Sequence, residues 1–332
     1  MRVGVIAGVV LGVVTLSALV VFTVFKQSSS SQARLDQVAR PDYVFKELKM
    51  VEVSGSQKFW EMQSRHSEIQ KGEALLDQPE GVFYRRNERF FVFVAPKASV
   101  HMKSRRMQLT DAQGRFIRMT DPWQVHSASI HLNPESESIY ARKPLKFWNQ
   151  KLALSGDEFF LNGNSQISIV SGNTVLIIKE PQSTLHARQT QVDTQTDYVT
   201  AQGDVRFQNA NLIIDSQQMD YRRDKAAYRF YGQAELNQED ITILADEFKS
   251  LQITVNVSAS GNVKFTQKDI RVSGQKLFYS QTLHKAYVSG NVQAYQGNRR
   301  MVGTAVVVDT QKNRLETQGR SQVIVSRNAQ MQ

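Results

Sequence analysis

Gly203, Gly232, Gly261, Gly290 and Gly319 stand 29 residues apart without a break, and a fixed period of that length is the signature of a stacked repeat. Each glycine opens a similar phrase: Gly203-Asp-Val-Arg-Phe, Gly232-Gln-Ala-Glu-Leu, Gly261-Asn-Val-Lys-Phe and Gly290-Asn-Val-Gln-Ala. Apolar residues alternate within the phrases and also ahead of them, as Tyr228 and Phe230 or Val255 and Val257 do. Period-two alternation reads as β-strand. Each glycine therefore interrupts a long strand, and a glycine there marks a bulge, a bend or a close backbone approach.

A second column of small residues follows thirteen positions later, at Ser216, Ala245, Gly274 and Gly303. It extends upstream as Ser64, Ala95, Ser127, Gly156 and Ala187, at the looser spacings of 31, 32, 29 and 31. Polar punctuations such as Gln208-Asn-Ala-Asn, Asn237-Gln-Glu-Asp and Arg222-Arg-Asp-Lys separate the runs and read as turns. One repeat is thus a hairpin of two long antiparallel strands, each bent once. Nine such units are expected from about residue 46 to 325.

Stacked edge to edge, bent hairpins predict an all-β, elongated, antiparallel, V-shaped stack: two sheets joined at a crease, with apolar residues on the inward faces. The inward parity selects Val205, Phe207, Leu212, Ile214, Met219, Tyr221, Tyr228, Phe230, Ile241, Ile243, Phe248, Val263, Phe265, Ile270, Val272, Leu277 and Tyr279. Their mixture of bulky and small side chains suits a filled interior and an open groove equally. The last phrase, Ser321-Gln-Val-Ile-Val-Ser, offers Val323, Ile324 and Val325 as a free edge strand. Unpaired edges invite strand addition by a partner.

The N-terminus follows a different rule. Val3 to Phe25 carry no charge and lie between Arg2 and Lys26. A helix rising 1.5 Å per residue crosses a bilayer core of about 30 Å over that length. We expect an uncleaved anchor over 1–26, a short cytoplasmic start and an exported body, with residues 27–45 as a polar linker. Gly4, Gly8 and Gly12 have the spacing of a helix-packing face.

Composition excludes more than it selects. With no Cys and only 7 Pro in 332 residues, the chain is neither disulfide-framed nor collagen-like. The net charge of +10 is spread along the chain, so no basic stripe argues for nucleic acid. The six His are scattered and no catalytic motif occurs, so no enzymatic activity and no cofactor are expected. His126 and His131 are read as a solvated pair rather than metal ligands. Asp204, Asp215, Asp246 and Glu247 are read as corner and turn hydrogen-bonding groups. Arg85, Arg86, Arg89, Lys103, Arg105, Arg106, Arg142, Lys143, Lys146, Arg222 and Arg223 form basic rims suited equally to lipid phosphates or to plain solvation.

The phrases Ala201-Gln-Gly-Asp-Val-Arg-Phe, Ser260-Gly-Asn-Val-Lys-Phe and Ser289-Gly-Asn-Val-Gln-Ala, with strands such as Ile243-Leu-Ala-Asp, resemble the OstA-like repeat of the lipopolysaccharide-transport (Lpt) periplasmic bridge. The anchor together with the Trp60, Phe91 and Trp123 units resembles its inner-membrane-anchored LptC-like components. Such components usually have about half this length. The resemblance therefore divides the body into an LptC-like jellyroll over 46–171 and a continuous OstA/LptA-like one over 172–332. It implies a β-jellyroll whose inward residues line the site for lipopolysaccharide acyl chains, leaving the sugar and phosphate head outside. It further implies inner-membrane localisation with a periplasmic body, an inner-membrane ABC transporter as one partner, and end-to-end docking with a periplasmic or outer-membrane jellyroll. A spacer with a filled β-stack and no lipid cargo is the competing reading.

Overall fold

Alternating apolar side chains produce strands along the whole body. The computed structural model describes residues 41–117, 121–162, 167–253 and 255–325, so the expected anchor and most of the expected linker lie outside it. The first strands are β1 (Tyr43–Ser54), β2 (Gln57–Gln70), β3 (Glu73–Asp77), β4 (Glu80–Arg85), β5 (Glu88–Val94), β6 (Lys97–His101) and β7 (Met107–Phe116). Then come β8 (Gln124–Asn133), β9 (Ser138–Trp148), β10 (Leu152–Asn162), β11 (Ile167–Lys179), β12 (Gln182–Asp193), β13 (Tyr198–Asn209) and β14 (Ile213–Arg222). The series closes with β15 (Ala227–Gln238), β16 (Ile241–Gln252), β17 (Asn256–Gln267), β18 (Ile270–Ser280), β19 (Lys285–Gln296), β20 (Arg299–Asp309) and β21 (Arg314–Val325).

All 21 strands belong to one sheet. From β7 onward each pairs antiparallel with its neighbours in sequence, as β13 does with β12 and β14. Near the N-terminus the expected bent strand is cut in two. β3 and β4 lie end to end along β2, while β5 and β6 lie end to end along β7. Pro79 and Pro96 stand at these breaks, where proline removes a ladder donor. Tyr43, Val44 and Phe45, assigned to the linker from sequence, are strand residues of β1 paired with β2.

Both small-residue columns are creases. At the first, Gln202 faces Gln218 and Val205 faces Ser216, so two residues of β13 oppose one of β14. Gly203 and Asp204 take up the bulge with φ of 79° and 50°. A Cβ on Gly203 would also come within 2.9 Å of Arg188 Cδ, so backbone and neighbour both demand glycine. Upstream, Glu47, Gln78 and Asp111 adopt positive φ at the equivalent crease without glycine, and the glycine column is therefore invisible there. At the second column space is the constraint: a Cβ on Gly274 would lie 2.7 Å from Val288 Cγ1. Where serine stands instead, its hydroxyl hydrogen-bonds backbone carbonyls at the bend. Ser64 Oγ donates to the carbonyls of His66 and Asp77, each at 2.7 Å.

The creases fold the two arms of every strand toward each other. Phe207, on the second arm of β13, meets Tyr228 and Phe230 on the first arm of β15 with ring centroids 5.4 Å apart. Phe147 and Phe159 make the same crossing at 4.9 Å. One apolar core runs from Trp60 to Leu315 between the arms. Apart from the 3-10 turn Arg223–Lys225, no helix occurs among the described residues, and none is long and apolar enough to cross a membrane.

Candidate functional site

The seventeen inward residues predicted from the repeat all lie between the arms, none more than 5% exposed. The interior is filled along their length. Tyr221 and Tyr228 pack with centroids 4.7 Å apart, and burial pushes the phenols of Tyr221, Tyr228 and Tyr279 upward in pKa. Neutral phenols keep the lining uncharged.

The ends differ from the middle. At the first end Tyr43 and Phe45 are 64% and 37% exposed although they pair with Ile69 and the buried Ser67 of β2. Leu48 and Met50 of the same strand pack half-buried against the core. At the other end Val323 pairs with Met301, itself packed on the core, yet is 52% exposed, with Ile324 at 42% and Val325 at 58%. Among the described residues no strand covers β1 on its side away from β2, or β21 on its side away from β20. Both mouths thus present apolar side chains continuous with the core.

Along its length the interior is closed by polar contacts between the two rims. Asp197, in the turn after β12, accepts from Trp123 Nε1 at 3.3 Å and from Asn149 Nδ2 at 3.4 Å, both from the opposite rim. It is also ion-paired with Arg223, whose guanidinium approaches Asp121 at 3.8 Å. Burial raises the Asp197 carboxyl above its ordinary pKa while Arg223 pulls the other way. Toward the C-terminus, Gln267 Nε2 donates to the Thr310 carbonyl at 2.9 Å, and Asn313 Nδ2 donates to Asp269 Oδ1 at 2.9 Å. Near the N-terminus, Arg105 pairs with Glu52 at 3.2 Å and Arg85 with Glu137 at 3.7 Å.

Three of the rim bases offered from sequence as phosphate contacts, Arg85, Arg105 and Arg223, are therefore engaged in closing the rims. Sequence reasoning missed their partners. Trp123 and Asp197 are 74 positions apart, and no local pattern links two turns at opposite ends of bent strands. The histidines take separate partners, His126 with Asp111 at 3.1 Å and His131 with Ser129 at 3.0 Å. Among the described residues no group of three or more metal-ligating side chains gathers. The corner carboxylates pair locally: Asp204 with Arg188, Asp215 with Arg206, Asp246 with Asn262, and Glu247 with Arg229 and Lys249.

Residues 10–174 match the family described as LptC: lipopolysaccharide-assembly, LptC-related. Among solved structures, the chain is similar to LptH, the LptA-homologous periplasmic component of the lipopolysaccharide transport device of Pseudomonas aeruginosa. That similarity has 12% identity and a TM-score of 0.33, and covers 35% of this chain and 95% of that one. No curated protein matches the chain.

Proposed function

We propose that the chain, whose residues 10–174 match the LptC-related lipopolysaccharide-assembly family, is a membrane-anchored segment of the lipopolysaccharide bridge. Acyl chains travel in its apolar interior. The observation that carries this reading is the unbroken apolar core emerging uncovered at both mouths, at Phe45 and Val323. A polar plug anywhere along the core would strand a hydrocarbon chain; a continuous apolar lining does not.

The energetics suit transit rather than storage. A chain leaving a bilayer for this interior exchanges one hydrocarbon environment for another, so the roughly 0.8 kcal/mol per methylene is retained, not gained. Direction must then be supplied upstream, which suits an inner-membrane ABC transporter as partner. In this reading the Val3–Phe25 span is the anchor, the body is periplasmic, and Val323, Ile324 and Val325 form the edge that receives the next jellyroll.

A second reading has its own observation. The seventeen lining residues are fully packed, as a spacer without cargo requires. Photoreactive residues separate the two in cells. At Phe207, Phe230 or Phe265 they should capture lipopolysaccharide, and at the outward Arg206 or Lys264 they should not. Equal labelling at both parities, or none at the inward ones, would favour the spacer.

A further inference from the structure

The outer face carries a feature that the interior does not explain. Arg229, Lys249 and Phe278 alternate with the buried Tyr228, Phe248 and Leu277, so they point away from the core. Together with Arg222, Lys225 and Leu251 they line a groove of about 880 Å³ that runs to the rim. A second concavity of about 460 Å³ shares Lys249 and Phe278 with the first and adds Lys276 and Tyr287.

Charge and polarity on this groove are unbalanced in a specific way. Four cations line it against one carboxylate, Asp220. Arg229 and Lys249 both lean on the single carboxylate of Glu247, and Arg222 on Asp224 at 3.3 Å. Beside these cations Leu251 and Phe278 are 68% and 41% exposed, and the Phe278 ring lies 6.2 Å from that of Tyr287. Free phosphate would leave the apolar strip wet. A purely apolar ligand would make no use of Lys225, for which no carboxylate partner is seen among the described residues, or of the second cation that shares Glu247.

We propose that this groove is a second, external lipid site, which seats the phosphate-bearing head of an acylated lipid on Lys225 and Lys249 and rests apolar substance of the same molecule on Leu251 and Phe278. The ligand class rests on the lipid-handling reading above; the site itself rests on the charge and exposure of this face. An external site next to a filled interior gives the head group a place to be held while chains are exchanged.

The test uses the full chain in detergent micelles, with a bisphosphorylated, acylated glucosamine disaccharide and its dephosphorylated counterpart as probes. A photoreactive residue at Ser258, which lines both concavities, reports the groove, and one at Phe265 reports the interior. Ser258 should label with the phosphorylated probe at least about tenfold better than with the other, the worth of one charge-assisted hydrogen bond. Lys225→Glu combined with Lys249→Gln should remove that label, spare the Phe265 label and leave the circular dichroism spectrum unchanged. Labelling at Ser258 that ignores the phosphates or the two substitutions overturns the site. So does labelling at Phe265 alone, or capture of an acidic protein instead of lipid at Ser258 in cells. Phosphate-dependent labelling at Ser258 with none at Phe265 upholds the groove and removes the interior conduit instead.

Discussion

Trp123 Nε1 donates to Asp197 Oδ1 at 3.3 Å, between turns on opposite rims. With Asn149 and Arg223 on the same carboxylate, this contact closes the stack at mid-length. Truncating one partner of a buried ion pair costs about 3–5 kcal/mol, and less here because the Arg223 side chain is 27% exposed. Asp197→Ala should destabilise the chain by roughly 2–3 kcal/mol in urea unfolding, a discounted form of that cost. The protein has no cysteine, so spin labels at Gln150→Cys and Thr196→Cys can read the distance between rims without background. Widening in Asp197→Ala is expected, and an unchanged distance distribution would mean that the core alone holds the rims together.

The glycine crease predicts a second effect. Gly261 has φ of 76°, and a Cβ there would lie within 2.3 Å of Asp246 Oδ2, the group that Asn262 Nδ2 bonds at 2.9 Å. Gly261→Ala should cost about 2 kcal/mol from the left-handed backbone and the clash together. Adding Asp246→Ala removes the two closest contacts, Oδ2 at 2.3 Å and Cγ at 2.8 Å, and leaves the Asp246 Cβ at 2.9 Å and the backbone strain, so thermal unfolding of the double variant should recover part of the loss. Full recovery would assign the whole cost to crowding.

Two carboxylates should impose opposite pH slopes on stability. Glu61 accepts from Lys58 Nζ at 2.6 Å and from the Tyr84 hydroxyl, and these bonds hold it below its ordinary value of 4.5. Its contribution is present above that value and lost as pH falls through the lower folded pKa. Asp197 is shifted the other way by burial, from 3.8 upward. Its contribution is complete below 3.8 and lost as pH rises through the higher folded value. In denaturation series between pH 3 and 7, Glu61→Gln should flatten the acid loss of stability, whereas Asp197→Asn should remove a component that falls with rising pH. A Glu61→Gln profile that overlays the parent would show the bond network to be energetically silent.

What the chain discloses in sequence follows from which constraints are local. The strand alternation and the Gly203 to Gly319 column are local, because parity and positive φ act residue by residue, and both name the inward face. The N-terminal crease at Glu47, Gln78 and Asp111 is hidden because these side chains tolerate the same backbone without signalling it. The rim contacts are hidden for a different reason. Asp197 and Trp123, or Gln267 and Thr310, meet only after two creased arms have folded together. Whether the interior is filled was equally undecidable from parity, since a buried and an exposed inward Phe read alike.

The last prediction concerns the edge. β21 is hydrogen-bonded to β20 on one side, and among the described residues nothing pairs with the other. Val323, Ile324 and Val325 are each more than 40% exposed, and an uncovered apolar edge is normally blunted unless a partner strand adds to it. Arg320 lies in the bulge with Gly319, before Ser321, and does not interrupt these three residues. Proline at Ile324 removes one backbone donor and adds ring bulk to the edge. The site is at the end of the stack, where Arg300 is the only cross-strand neighbour of Ile324 in the register, so the core from Trp60 to Leu315 should stay folded. Ile324→Pro should therefore retain the parent's circular dichroism and unfolding midpoint while losing capture of a jellyroll partner in pull-downs. Undiminished capture by this variant, with β21 intact by hydrogen exchange, would place the docking surface elsewhere. Loss of both capture and the unfolding transition would make the edge a part of the core rather than a surface for addition. A milder Ile324→Ser variant, which keeps the donor and removes the apolar side chain, then separates backbone pairing from side-chain contact: if pairing carries the interaction, Ile324→Ser should bind nearly as well as the parent.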